Sequence, residues 1–157
     1  MRIGYGYDAH RFKKGRKCIL CGVEIPSDIG PDGHSDADVP VHALMDAMLG
    51  ALALGDIGKW FPDNDKKWKN ANSIELLKIV NSSVKERNFI IGNTDITIIT
   101  QSPRLAPYIG QMRSVIAGAL ETETGNVSIK ATTEEGMGFT GDGSGIAATA
   151  AVLLKKA

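Results

Sequence analysis

The chain has 157 residues, 43% hydrophobic and 23% charged, with 18 basic and 18 acidic side chains that cancel. This is the size of one globular domain with a real core, so residues 1–157 read as a single domain. Zero net charge excludes a global field that would pull the chain to nucleic acid or an anionic membrane, so any bound anion must be held locally. No apolar run reaches membrane-spanning length, and Met1-Arg2-Ile3-Gly4 enters a strand with no signal peptide, which points to a cytoplasmic protein.

Residues Arg2 to Phe12 alternate as a strand. Ile3, Tyr5, Tyr7 and Ala9 share one face; Gly4, Gly6, Asp8 and His10 share the other, where the small residues are expected to leave room for a bulky group. Lys17 to Ile25 reads as a short hairpin. Its Cys18 and Cys21 form a Cys-x-x-Cys without a second pair or a strand-to-helix turn, and are read as small apolar fillers in a reducing compartment. Ser27 to Asp38 is a polar, turn-rich loop. A helix follows, with Pro40 in its first turn and Val41, Leu44, Met45, Met48, Leu49 and Leu52 at helical spacing. His42 and Asp46, four apart, share one face of it.

A long loop runs from Gly55 to about Ala71. Asn72 then caps a second helix, with Glu75 three residues on and Ile74, Leu77, Val80 and Val84 as its buried stripe up to Asn88. Ile91 to Thr100 alternates as a strand, Ser102-Pro103-Arg104 breaks it, and Pro107 opens a third helix carrying Ile109, Met112, Ile116 and Leu120. Val127 to Thr132 and Ile146 to Leu154 are the last two strands. The predicted fold is α+β: a four-stranded mixed sheet with helices on one face. Apolar strand residues such as Ile129 and Val152 are expected on the other face, buried there by neighbouring subunits of a homo-oligomer.

Asp8 and His10 sit at i and i+2 of a strand and can converge on one ion. A third ligand from the helix, His42, would leave the fourth tetrahedral corner open, as in a catalytic zinc site. Chance proximity of two histidines to an aspartate is the plain alternative. A non-haem iron oxygenase also uses two histidines and a carboxylate, but with the carboxylate after the first histidine and on an all-β scaffold. A zinc-stabilised binding protein is the non-enzymatic alternative; chelation would unfold it.

Other motifs are weaker. Gly136-Met137-Gly138-Phe139-Thr140-Gly141 spells a dinucleotide fingerprint, yet lacks the following helix and the acid some twenty residues on, and reads as a tight turn between strands. Asp63-Asn64-Asp65 opens like a calcium loop but has Trp68 where glycine is required. Thr132-Thr133-Glu134-Glu135 ends a strand with hydroxyls and carboxylates, a set suited to phosphate and a hard cation as well as to a solvated turn.

Several ordered motifs coincide with one family. Gly4-Tyr5-Gly6-Tyr7-Asp8-Ala9-His10-Arg11-Phe12, His34-Ser35-Asp36-Ala37-Asp38 with His42, Leu54-Gly55-Asp56-Ile57-Gly58-Lys59, Phe61-Pro62-Asp63 and Lys130-Ala131-Thr132-Thr133 through Glu135 to Gly138-Phe139-Thr140-Gly141 resemble the 2-C-methyl-D-erythritol 2,4-cyclodiphosphate synthases. The resemblance implies conversion of 4-diphosphocytidyl-2-C-methyl-D-erythritol 2-phosphate to the cyclic diphosphate with loss of CMP, and a homotrimer with active sites between subunits. It implies Asp8, His10 and His42 as zinc ligands and Glu135 as the ligand of a magnesium or manganese ion. It also implies that His34 and Thr133 steady the transition state. Asp56, Ile57 and Gly58, with Phe61, Pro62, Asp63, Asn64 and Asp65, would hold the methylerythritol part. Thr100, Gln101, Ser102, Pro103, Arg104, Leu105, Ala106 and Thr132 of a neighbouring chain would hold the cytidine diphosphate. Asp8, His10, His34, Ser35, Thr133, Glu134, Glu135 and Phe139 complete the implied substrate contacts.

Overall fold

The computed structural model describes all 157 residues. A long strand β1 (Arg2–Lys14) leads into the hairpin β2 (Cys18–Leu20) and β3 (Val23–Ile25), then a short strand β4 (Ile29–Pro31). Helix α1 (Val39–Ala51), a single turn α2 (Ile57–Trp60) and helix α3 (Ser73–Glu86) precede β5 (Phe89–Ile99). Helix α4 (Ile109–Leu120), β6 (Val127–Thr132), a single turn α5 (Gly138–Gly141) and β7 (Gly145–Lys156) complete the chain. The main sheet has five strands rather than the expected four, in the order β4-β1-β7-β5-β6, with only β5 and β6 parallel. The extra strand comes from the segment read as loop. At three residues β4 is too short to show alternation, and it forms because β1 runs on past Phe12 and offers Phe12, Lys13 and Lys14 as partners.

Helix α1 lies against β1 and β7 and is buried along most of its length. Its close approach explains the small residues of β1. A Cβ on Gly4 would stand 1.8 Å from the Ala47 carbonyl oxygen, and one on Gly6 2.0 Å from that of Ala43. The room left by these glycines is therefore filled by helix backbone, not by a ligand. Asp38 caps α1, accepting from Val41 N at 3.4 Å, and its carboxylate also accepts from Cys21 N at 2.8 Å and Gly22 N at 2.7 Å. The hairpin is thus tied to the helix start, and every donor compensates the burial of that carboxylate.

The core joins Leu44, Met45, Met48 and Leu49 of α1, Leu77 and Val80 of α3, Ile96 and Ile98 of β5, and Met112 and Ile116 of α4. Ile129 and Val152 belong to this core, on the helix-covered side, contrary to the expectation that they face outward. Register decides this. Val152 pairs with Gly4 and Thr94, and successive residues of a strand must point to opposite faces. The bare face instead carries Ile3, Tyr5 and Tyr7, 78%, 67% and 52% exposed, in one row along β1. Cys18 and Cys21 are buried free thiols, as expected of fillers. Burial pushes Cys18 up to about 11 and raises Cys21 as well, so neither is a ready nucleophile. The Gly136–Gly141 motif closes in a single helical turn over its own residues Gly138–Gly141, and no helix follows it before β7, so no dinucleotide-binding unit is formed.

Candidate metal centre and active site

Asp8 and His10 project from β1 toward α1, where His42 stands in the first turns of the helix. One ligand atom from each lies within 4.8 Å of the others. Asp8 Oδ2 is 3.1 Å from His10 Nδ1 and 3.1 Å from His42 Nδ1, and the two rings are 5.5 Å apart between centroids. His10 Nδ1 is buried and has no aligned hydrogen-bond partner. Buried ring nitrogens are normally satisfied, so a lone pair left aimed at a carboxylate and a second imidazole fits a cation. The donor set of two nitrogens and one oxygen suits zinc and leaves a coordination position without a protein ligand.

Around this cluster the loop Gly33–Asp38 is held from three sides. Arg16 donates to the carbonyls of Pro31, Gly33 and Ser35 at 3.2, 3.3 and 3.0 Å. Asn70 N donates to His34 O at 2.9 Å and Asp36 N to Ala71 O at 3.1 Å, which knits the Asp65–Ala71 segment to the same loop. Ser35 Oγ lies 3.2 Å from His42 Nε2. His34 Nε2 is buried without a partner and remains free to meet a ligand. Residue Ser73, with no ligand-like signal in the sequence, lies 3.0 Å from the same ring nitrogen of His42.

The other expected contacts fall into three groups. Asp46 accepts from Ile57 N at 2.8 Å, so α1 also fixes the segment containing Asp56, Ile57 and Gly58. Asp56 caps α2 and Asp65 caps the following 3-10 turn, while Asp63 and Asn64 are exposed. Phe61 departs from this pattern: it is buried edge-on against Trp68 at 5.0 Å, so packing occupies its ring. Thr100, Gln101, Pro103, Arg104, Leu105 and Ala106 meet Ala131, Thr132 and Thr133 around a cavity of about 360 Å³. Parallel pairing of β5 with β6 makes that meeting, with Thr100 N donating to Thr132 O at 3.1 Å. Ser102 stays outside the lining and turns its carbonyl to Thr100 Oγ1 at 2.6 Å. Phe139 is half-exposed and lines a separate cavity of about 300 Å³ beside His10.

Glu135 is held in a left-handed conformation, φ 51°, between Thr133, whose Oγ1 accepts from Glu135 N at 3.3 Å, and Gly136, φ 84°. Thr140 donates to the Glu134 carboxylate and pins the turn. Glu135 shares this left-handed backbone with six other non-glycine residues, among them Glu121 at the end of α4.

Charges in the cluster are mutually perturbed. Burial would raise the Asp8 carboxyl, but the His10 and His42 rings, each with Nδ1 3.1 Å away, outweigh it and hold it below the usual 3.8. Burial pulls His42 down, yet Asp8, with Asp38 and Asp36 behind it, lifts it above 6.5. Burial, then the Asp36 charge, push the Asp38 carboxyl up to about 7. The signs set the pH dependence of the metal-free chain. Asp8 contributes stability above 3.8 that is lost in acid; His42 contributes below 6.5 and loses it as pH rises through its raised value; the raised Asp38 contributes most below 3.8 and progressively less up to about 7. The metal-free melting temperature is therefore expected to peak in mild acid and fall toward alkaline pH. Zinc competes with the proton on His42, so the zinc-induced rise in melting temperature should be larger at about pH 8 than at about pH 6, measured by scanning fluorimetry.

An α+β layer carrying a part-buried carboxylate and two imidazoles at one end of its sheet is a framework that could hold a metal ion in an enzyme's site. Comparison with known proteins agrees. The profile of the YgbB family matches residues 1–155, and the chain belongs to that family. The 2-C-methyl-D-erythritol 2,4-cyclodiphosphate synthase of Clostridioides difficile is 57% identical over 154 residues, covering 98% of this chain and 96% of its own. A solved 2C-methyl-D-erythritol-2,4-cyclodiphosphate synthase in a CDP-bound form superposes with TM-score 0.91 at 35% identity, over 98% of this chain and 100% of that one. The bifunctional IspDF of Campylobacter jejuni matches with TM-score 0.96 at 44% identity; this chain spans 99% of its own length and 42% of that longer protein. No helix is long and apolar enough to cross a membrane.

Proposed function

We propose that this chain, a single domain over residues 1–157, cyclises 4-diphosphocytidyl-2-C-methyl-D-erythritol 2-phosphate to 2-C-methyl-D-erythritol 2,4-cyclodiphosphate and releases CMP. It would act as a phosphorus-oxygen lyase in the non-mevalonate route to isoprenoid precursors. The observation that carries this reading is the convergence of Asp8, His10 and His42 with one position left for a ligand oxygen. Family membership supports the substrate, and the CDP-bound relative supports a nucleotide in the Thr100–Thr133 cavity.

The reaction needs no protein nucleophile, because the substrate's own 2-phosphate attacks the β-phosphorus and CMP leaves. The chain's task is to fold a flexible polyanion until its ends meet, a gain in proximity and orientation. Zinc held by Asp8, His10 and His42, with magnesium or manganese held through Glu135, would supply Lewis-acid neutralisation of phosphate charge. His34 Nε2, buried and free of other partners, and the Thr133 hydroxyl would donate to the phosphoryl oxygens as charge spreads over them. Asp56, Ile57 and Gly58 would position the methylerythritol hydroxyls. Thr100 to Ala106 and Thr132 would hold the cytidine diphosphate.

Strand order favours assembly of this site from two copies. His10 pairs with Ile146, Ala147 pairs with Ile99, and Ile99 with Thr132, so cluster and nucleotide cavity share one end of the sheet. Three strand spacings still separate them, about 14 Å. A homotrimer that packs the exposed row Ile3, Tyr5 and Tyr7 would bring one copy's cavity to the next copy's cluster and cover the bare face. Buried free cysteines accord with a reducing, cytoplasmic setting. The test is incubation of the purified protein with the cytidylyl substrate, zinc and magnesium, followed by phosphorus NMR. A cyclic diphosphate with equimolar CMP is expected; unchanged substrate with zinc-loaded protein would overturn the proposal.

A further inference from the structure

We infer that Arg16 is a positioning residue for His34: its guanidinium fixes the backbone on both sides of that histidine and so holds the ring in place for a phosphoryl oxygen. The inference rests on the role given to His34 in the proposed reaction and assigns work to a residue outside the ligand and contact sets. Strand β4 ends at Pro31, and Gly33 to Ser35 form a bend beyond the strand ladder. Their carbonyls therefore need donors from elsewhere. Arg16 Nε donates to Pro31 O at 3.2 Å, and Nη2, which carries two N–H groups, donates to Gly33 O at 3.3 Å and Ser35 O at 3.0 Å. Gly33 and Ser35 are the chain neighbours of His34, whose own carbonyl accepts from Asn70 N at 2.9 Å. Three successive carbonyls across His34 are thus held from outside the loop, while its buried Nε2 has no partner.

The Arg16 side chain starts from a rigid base. In the turn between β1 and β2, Gly15 takes φ 78° and its N donates to Asp28 O at 3.0 Å. A Cβ on Gly30 would stand 2.1 Å from Lys17 O and 2.6 Å from Arg16 O, so the Arg16 backbone is packed on β4 before its side chain reaches the loop. Asp32 Oδ1, 3.8 Å from Nε, is an exposed ion-pair partner of little weight beside the three carbonyls. Lysine could not replace this contact. Its ammonium is a single point with rotating donors, whereas a planar guanidinium presents its N–H groups in a fixed fork that several carbonyls can share.

Arg16→Ala and Arg16→Lys test the inference by two readouts. One is steady-state CMP release with zinc and magnesium. The other is the ring C–H NMR spectrum of the purified protein, in which the three histidines are the sole imidazoles. Arg16→Ala is expected to lower kcat about 10–100-fold and leave KM nearly unchanged, because a misplaced His34 weakens an interaction made in the transition state. The His34 signals should shift and broaden while those of His10 and His42 stay. Zinc affinity should also stay, since the proposed ligands stand on β1 and α1. Arg16→Lys keeps the charge and the apolar stem but not the fork; it carries the comparison if Arg16→Ala fails to fold, and should show the same pattern. A folded variant whose kcat stays within about twofold overturns the inference, as does one whose His34 signals do not move. A rise in KM at constant kcat overturns it too. If the unmodified chain leaves the substrate unchanged, the proposed reaction falls, and the His34 signals alone then decide whether Arg16 positions that ring.

Discussion

The His42→Ala variant is expected to lose CMP release by about a thousandfold or more while remaining folded and assembled. Removing one of three ligands forfeits several kcal/mol of charge stabilisation at the reacting phosphates, and each 1.4 kcal/mol is about tenfold in rate. The fold should tolerate the change, because alanine is the best helix former and α1 is held by its apolar flank of Leu44, Met45, Met48 and Leu49. Single-turnover release of CMP and scanning fluorimetry with and without zinc read the two effects separately. The zinc-induced rise in melting temperature should vanish with the activity. Turnover at the unmodified rate, with metal rigorously removed, would disprove the role given to His42.

Gly6→Val should be strongly destabilising. The new Cβ would lie 2.0 Å from the Ala43 oxygen and 2.8 Å from Ala47 N, both backbone atoms of α1 that no rotamer change can move. Relief requires the helix to retreat by about 1.4 Å, from 2.0 Å to the 3.4 Å of ordinary contact. Overpacking of this kind is unfavourable by roughly 3 kcal/mol or more, a fall of about 6–12 °C in melting temperature for a chain of this size. Because α1 carries His42 and β1 carries Asp8 and His10, the same retreat would pull the ligands apart and abolish zinc binding. Gly110→Ala in α4 is the control, since nothing lies within 4 Å of its Cβ position and alanine favours helix by about 1 kcal/mol. A Gly6→Val protein that melts like the unmodified chain and binds zinc would remove the physical account of this interface.

The two expectations share one cause. The proposed metal cluster is a strand-to-helix contact, and its geometry is set by backbone packed on backbone. The bare sheet face follows from the same alternation, since Ile3, Tyr5 and Tyr7 alternate with Gly4, Gly6 and Asp8 and cannot be buried by α1.

Local patterns in the chain determined much of this. Alternation in Arg2–Phe12 set the strand and put Asp8 and His10 on one face; the Asn72 cap and its apolar stripe set α3; the Cys18–Ile25 hairpin and its inert thiols followed from spacing. These features depend on neighbours within a few residues, which the order of amino acids records directly. Tertiary structure alone decided the fifth strand, the inward direction of Ile129 and Val152, the filling of the Gly4 and Gly6 space by α1, and the contact of His42 with Ser73. Each of these joins residues far apart in the chain or turns on register, where a shift of one residue exchanges the two faces of a strand. Periodicity defines that two faces exist; only packing selects which one meets the helices.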